Sequence, residues 1–480
     1  MSSQLIIGVI LAYFAVLLLI SFLTSKKGDN AEFFLGNRKS PWYIVAFGMI
    51  GASLSGVTFI SVPGWVEASQ FSYMQMVLGY LLGYAIIAFV LLPLYYRMQL
   101  TSIYGYLKER FGRSSYKTGA TFFLISRIIG ASFRLYLVAL VLDEFVFKNQ
   151  LDFGWIVLIT IALIWIYTFR GGIKTIIWTD TLQTLCMLIA VVISIYAISK
   201  AMGIGGWEIV ETIRGSEYSK WFFMDDLRDG KHFIKQFLTG AAIAVVMTGL
   251  DQDMMQKNLS CKNLKDAQKN MISFSLVLVF VNLLFLGLGA LLYIYAGAEG
   301  IALPEKRDNL FALIALDSGL GIGLALFFIL GLIASAYSSA DSALTALTTS
   351  FYVDILEAKK ETQKEQKALR WKIHLGMSFV LLITIIVFHE INDDSVISSL
   401  FKVAGFTYGP LLGMYAFGLF VKRQVMDTYV PIVAVLSVAL CAVLYFWGPK
   451  IGFELLIYNG LFTFLGMFLI SSKKGPIGTD

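Results

Sequence analysis

The sequence predicts an all-α, polytopic membrane protein: about thirteen helices in one bundle, with no soluble domain. Three observations carry this. The 480-residue chain is 58% hydrophobic and only 15% charged, where a soluble protein carries about 25% charged residues. Its mean hydropathy is +0.74. Apolar runs able to span a bilayer, which takes about 20 residues, recur near 4–24, 42–68, 74–96, 118–147, 152–169, 172–199, 233–255, 271–296, 318–352, 373–389, 395–421, 427–447 and 451–471.

The first run comes after Met-Ser-Ser-Gln, which has no positive charge, and it exceeds a signal core, so it is expected to remain as a helix. Lysine and arginine set the orientation. With the N-terminus outside and the C-terminus cytoplasmic, cytoplasmic connections collect Lys26, Lys27, Arg38 and Lys39, then Lys108, Arg110 and Arg113, then the run from Lys359 to Lys372. The outer loop 200–235 is rich in both signs, while Arg127, Arg134 and Lys402 fall inside apolar runs. The net charge of +6 thus derives from topology and gives no sign of a nucleic-acid partner. A multi-pass position in the inner or plasma membrane is expected, with the lipid bilayer as surroundings and the chain acting as a monomer. Cys186, Cys261 and Cys441 suggest no disulfide, and three histidines without metal spacing leave a hydrolase or zinc enzyme little to work with.

The second run contains Gly48-Met-Ile-Gly51-Ala-Ser53-Leu54-Ser55-Gly56-Val57-Thr58 and then Pro63-Gly64. Such a cluster either breaks the helix around a cavity or ion or makes a small-residue packing face. The seventh run has a weaker version, Gly240-Ala-Ala-Ile-Ala and then Gly249-Leu-Asp251-Gln252-Asp253. Runs two to six and seven to eleven make two units of five, so the second starts on the opposite side of the membrane. That arithmetic is an inverted repeat with a site at the broken first helices. The expected boundaries are 1–41 for an extra helix and loop, 42–201 and 231–421 for the repeats, and 422–480 for two further helices.

The ninth run holds Ser335-Ala-Tyr-Ser338-Ser339-Ala-Asp341-Ser342. Steps of three and four put these oxygens on one helix face. An oxygen-rich face without histidine or cysteine suits a hard cation such as sodium. The serines alternatively bond back to carbonyls one turn earlier, and Asp341 alternatively lies in water at the cytoplasmic end. Asp180 lies about 12 Å into a helix that starts near Gly172, at 1.5 Å per residue. It either serves the site or pairs with Arg127, Arg134 or Lys402. If Asp180 and Asp341 face each other, a sodium ion or a shared proton must resolve the repulsion. Arg127 and Arg134 lie on one side of the fourth helix, where either holds an anionic solute group or pairs with those aspartates.

At these residues the chain resembles the sodium/solute symporter family. The resemblance includes Ala31-Glu32-Phe33-Phe34-Leu-Gly-Asn-Arg38, Leu100-Thr-Ser-Ile-Tyr104-Gly-Tyr-Leu107-Lys-Glu-Arg110-Phe111-Gly112, the Gly171-Gly172…Trp178-Thr179-Asp180…Gln183 segment, Asp251-Gln252-Asp253-Met-Met-Gln256, and Gly405-Phe406-Thr407-Tyr408-Gly409-Pro410-Leu411-Leu412-Gly413. It implies a leucine-transporter-type fold, a five-plus-five inverted repeat with one helix before and two after. It also implies a first sodium held by the Gly51 and Leu54 carbonyls, the Ser335 carbonyl and the Ser338 and Ser339 hydroxyls. A second sodium, found in some members, would use Asp180, Ser338, Asp341 and Ser342. Solute contacts would come from Ser53, Ser55, Thr58, Gln75, Arg127, Arg134 and Phe406. The arginine that grips the carboxylate in the sialic acid transporters falls at Gly130, with Arg134 a turn outward and Arg127 a turn inward.

The expected function is a non-enzymatic symporter that brings in a small organic solute with one or two sodium ions by alternating access. Sodium is the transported ion. A proton-coupled transporter using the Asp180/Asp341 pair is the alternative. A channel would need a continuous polar stripe, and a sensor would need a signalling domain.

Overall fold

The computed structural model describes residues 3–24, 30–148, 150–358, 362–391, 396–448 and 451–472. Lys26, Lys27 and Lys359, which the orientation argument uses, lie outside the described residues. The chain is helical on every expected run. The helices are α1 (Ser3–Thr24), then α2 (Trp42–Ser53) and α3 (Gly56–Gly64), bent by 53°. Next come α4 (Tyr73–Arg97), α5 (Arg113–Phe147), α6 (Phe153–Phe169) and α7 (Gly172–Ala201). A second bent pair, α8 (Phe233–Gly249) and α9 (Gln252–Leu259), turns by 64°. After these come α10 (Leu264–Glu299), α11 (Ile322–Ile355) and α12 (Gln363–Ile391). A third pair, α13 (Ser399–Thr407) and α14 (Gly409–Phe420), bends by 43° before α15 (Asp427–Trp447) and α16 (Leu455–Leu469). Among the described residues seven helices are long and apolar enough to cross a membrane, or ten when each bent pair is one span, and three shorter apolar helices accompany them. Among the described residues the strands are a two-residue antiparallel ladder, Gln424–Val425 against Ser471–Ser472, with an isolated bridge between Ser40 and Cys261.

The first two bends fall on the first helix of each five-helix unit, and both have a chemical cause. Between α2 and α3, Leu54 and Ser55 leave helical geometry (ψ 74° and 179°). Between α8 and α9, Asp251 is extended, and its carboxylate caps the new helix by accepting from the Asp253 and Met254 amides. An aspartate at this position satisfies amides that a helix start leaves without partners.

Glycine sets how closely the helices approach. A Cβ on Gly79 would fall 2.0 Å from the Phe237 carbonyl oxygen, and one on Gly240 would fall 2.1 Å from that of Met76. The α4 and α8 backbones are therefore in contact, as small residues permit in membranes. Gly172 makes the corner between α6 and α7 with φ +51°, where a Cβ would strike the Phe33 carbonyl at 2.5 Å. α7 thus begins at Gly172, as expected. α11 lies at the centre, packed along α6–α7 and against α2, α3, α5 and α9; residues 331–350 are all buried.

One end of the bundle is latched by Glu357, just past α11, which accepts from Lys108 (3.2 Å), Arg113 (3.1 Å) and Lys117 (2.8 Å). Hydrogen bonds from Lys117 and Lys108 hold its carboxyl down to about 2. A depressed carboxylate stabilises above its unfolded pKa of about 4.3 and loses that contribution as pH falls through the folded value. The latch therefore stays closed across the neutral range and opens only in strong acid.

Substitutions at glycines in tight and in open surroundings should differ accordingly. Gly79→Val should lower the melting temperature in detergent by an amount equivalent to about 1–3 kcal/mol, the usual cost of overpacking. Gly297→Ala, where an added Cβ meets nothing within 4 Å, should leave it unchanged or slightly raised.

Candidate ion and solute site

The break between α2 and α3 faces the hydroxyl side of α11. Across it, the Leu54 amide donates to Ile50 and the Phe59 amide to Ser55, and among the described residues no hydrogen bond is received by the Gly51 or Leu54 carbonyl. Opposite, the Ser338 and Ser339 hydroxyls are buried without a hydrogen-bond partner. Ser335 differs: its hydroxyl donates to the Leu332 carbonyl at 2.7 Å, the back-bonding expected of serine in membrane helices. Its Oγ lies 3.7 Å from where a Cβ on Gly56 would be, which puts the serine face directly against the break. Gly51 also has a packing role, since a Cβ there would fall 2.2 Å from Thr184 Oγ1 on α7. The glycine-rich stretch therefore serves close packing and helix breakage together.

Asp180 and Asp341 converge on the same face. Asp180 is fully buried, and the Lys257 ammonium, on α9 and 1% exposed, donates to its Oδ2 at 2.7 Å. The expected partners are therefore corrected. Arg127 and Arg134 are not within ion-pair reach of Asp180 or Asp341, and Lys402 stacks on the Tyr445 ring at 5.7 Å. Lys257 escapes the hydropathy reading because the seventh apolar run stops at residue 255, which leaves the lysine counted with a loop. Gln183, with its amide nitrogen turned to the carboxylate, donates to Asp180 Oδ1 at 3.2 Å. Ser338 and Ser342 neighbour the same carboxylate, yet neither hydroxyl reaches hydrogen-bonding geometry. Asp341 is buried rather than at a wet helix end. It accepts from the Tyr167 hydroxyl at 2.7 Å and from the Ser342 amide.

On the other side of α3 lies a cavity of about 80 Å³, lined by Ser53, Ser55 and Thr58, by Tyr73, Tyr80 and Tyr84, and by Thr248, Asn282, Phe401, Arg127 and Arg134. A water needs roughly 10–15 Å³ measured this way, so the volume takes several waters or a small polar group. The two arginines have different surroundings. Arg127 is held by Asp253 and lies 3.9 Å from Asp251. Arg134 makes no ion pair within 4 Å among the described residues, while the Nε of both arginines is without a hydrogen-bond partner. Asp251 is already taken by the Tyr408 hydroxyl at 2.6 Å and by the backbone amides it caps. A smaller space bounded by Gly130, Arg127, Arg134 and Tyr408 adjoins.

Two expected solute contacts lie away from this lining. Gln75 fastens the 200–235 loop, donating to the Lys231 carbonyl at 2.8 Å and accepting from the Phe223 amide at 3.1 Å. Phe406 packs edge-on against Tyr445, and Phe401 and Leu400 of the same segment reach the cavity instead. The three tyrosines of α4, Thr248 and Asn282 were not expected. The tyrosines recur at steps of seven and four, a one-face pattern legible in the sequence. Nothing marks Thr248 or Asn282 out from other polar residues in apolar runs.

The sodium:solute symporter family description matches residues 33–427. The sodium/sialic acid symporter SiaT of Proteus mirabilis is 26% identical over 453 residues, covering 90% of this chain and 88% of that protein. The human sodium/iodide cotransporter is 24% identical, covering 81% of this chain and 61% of its own length. Mouse sodium-coupled monocarboxylate transporter 1 is also 24% identical, covering 86% and 68%. Among solved structures, the substrate-bound outward-open state of a sodium-coupled sialic acid symporter superposes with a TM-score of 0.84 at 20% identity, over 98% of this chain and 99% of that one. A nucleobase-cation-symport-1 family transporter in a closed conformation gives 0.57 at 14% identity over 93% and 95%. These likenesses establish the leucine-transporter-type fold.

Asp253→Asn should strand the buried Arg127 charge and destabilise the protein by about 3–5 kcal/mol, and Asp253→Asn combined with Arg127→Leu should recover most of that. Melting in detergent of the two single variants and the double variant measures the coupling.

Proposed function

We propose, from the premise that this chain belongs to the sodium:solute symporter family, that its solute is a small organic anion. Sodium coupling comes with the family and replaces the proton relay through Asp180 and Asp341 as the reading of the buried carboxylates. The protein is a multi-pass membrane transporter and not an enzyme.

One observation carries the choice of an anion: Arg134 brings a guanidinium with no ion pair among the described residues to a cavity whose other lining groups are hydroxyls, an amide, aromatic and aliphatic side chains and the already paired Arg127. A buried charge lacking a counter-charge is costly, and a solute carboxylate supplies one through a charge-assisted, two-pronged hydrogen bond. Arg127 is neutralised by Asp253, so its part is to brace the α8–α9 break. Sialic acid, iodide and monocarboxylates, which the related transporters' names specify, are all anions. In this reading Ser53, Ser55 and Thr58 contact the solute beside Arg134.

The first sodium sits between the Gly51 and Leu54 carbonyls and the Ser335 carbonyl with the Ser338 and Ser339 hydroxyls. The supporting feature is the set of oxygens without partners on both walls. Sodium in this place ties α3 to α11 and favours the state in which Arg134 is open to solute. A ligand shifts the balance between two states only through such a difference in affinity. The repeats run 42–201 and 231–421 within one transport domain. The N-terminus lies outside and the C-terminus in the cytoplasm, so the Glu357 latch is on the inner side. The protein acts as a monomer.

Uptake into proteoliposomes, with sodium or potassium outside and a panel of sugar acids, monocarboxylates, neutral sugars and amino acids, tests the reading. Uptake should require sodium and be confined to anions. Arg134→Gln should weaken solute affinity roughly 10- to 100-fold, the value of one or two charged hydrogen bonds, and leave sodium binding intact. Equal uptake of neutral sugars, or unchanged affinity in Arg134→Gln, would contradict it.

A further inference from the structure

The buried charges beside the Ser335–Ser342 stretch of α11 are few; the other buried carboxylate of this helix, Asp354, lies near its C-terminal end, bonded by Ser102, Ser350 and Tyr116. Asp180 and Asp341 are both fully enclosed, and the charged groups acting on Asp341 are Asp180 and Lys257. The Lys257 ammonium is bonded to Asp180 at 2.7 Å. No other cation reaches either carboxylate within 4 Å among the described residues. The fixed groups therefore sum to one negative charge, with Asp341 held by neutral donors, the Tyr167 hydroxyl and the Ser342 amide.

We infer that Lys257 serves as a built-in cation in this cluster, so that the site takes one mobile sodium per cycle and the second-sodium position at Asp180, Ser338, Asp341 and Ser342 is not separately filled. This rests on the sodium-coupled reading above. A single sodium at the α2–α3 break, next to Ser338, brings the sum to zero. Two would leave an unbalanced positive charge in a low-dielectric interior, where uncompensated charge is expensive. The geometry adds a second restriction: the lysine already uses Asp180 Oδ2, one of the two charged oxygens that a second ion would need. Ser338 belongs to both ligand sets, so two ions would also compete for its hydroxyl.

Removing the lysine charge changes the balance. Lys257→Met leaves two negative charges, which calls for two sodium ions. That variant should be markedly less stable in potassium than the native protein and should recover in sodium, since a ligand that binds only the folded state stabilises it by mass action.

Equilibrium binding of radioactive sodium to the purified full-length protein in detergent tests this without knowledge of the solute. The native protein should bind one sodium per chain at saturation, and Lys257→Met should bind two. Two ions bound to the native protein would overturn the inference while leaving sodium coupling intact. One ion bound to Lys257→Met would remove Lys257 from the role. No sodium binding by the native protein would overturn the inference together with the reading it rests on. If Lys257→Met does not fold in either salt, the native stoichiometry alone decides.

Discussion

The Gly51 and Leu54 carbonyls are left open where α2 gives way to α3, and the Ser338 and Ser339 hydroxyls of α11, which packs against this break, are equally open. In a medium without water each such group costs free energy of the order of a lost hydrogen bond, and several of them on two facing walls would make a poor helix contact. In the proposed site, an alkali cation between the walls would turn that cost into attraction. On this proposal the rest of the site depends on that contact, which would set how α3 sits, and α3 with its N-cap places Thr58 and Ser55 in the cavity that Arg134 lines. Ion and solute would thereby be coupled through one short helix.

The polar interior is kept tolerable by pairing. Lys257 meets Asp180, Asp253 meets Arg127, and Asp251 is bonded by Tyr408 and by amides at the α9 start. α9 supplies or adjoins all three arrangements, and it connects the second unit's break with both the ion cluster and the cavity. Replacing one member of such a pair is expensive because it strands the other. Arg134 stands apart from this scheme, which is why it is the group best read as meeting solute. A single sodium accompanying a monovalent anion moves no net charge. The ~2.3 kcal/mol per charge at 100 mV then cancels, and accumulation tracks the sodium gradient alone, about tenfold for a tenfold gradient.

Much of this was legible in the sequence where local chemistry dictates geometry. The steps between Ser335 and Ser342 marked one helix face and Gly249-Leu-Asp251 pointed to the second break, while glycines and serines at 48–58 left a break and a packing face both open, and they serve both. Hydropathy fails at α9. All eight residues of Gln252–Leu259 are buried, although they include Gln252, Asp253, Gln256, Lys257 and Asn258. A polar helix whose partners lie on other segments looks like a loop when read alone. The same limit applies to the arginines. Their positions on α5 were evident, but which of them is neutralised depends on Asp253, more than a hundred residues away. Gln75 shows the reverse error, a polar residue near the expected place whose side chain is taken up by the 200–235 loop.

A sodium ion that bridges the α2–α3 break and the serine face of α11 should show itself in thermal stability. The decisive comparison is the melting temperature of purified protein in sodium against potassium at equal ionic strength, for the native chain and for a variant carrying Ser338→Ala with Ser339→Ala. The native protein should show a clear sodium-specific rise that is largely lost in the double variant, with little change in potassium. An undiminished sodium-specific rise in the double variant would place the ion elsewhere and refute the bridge.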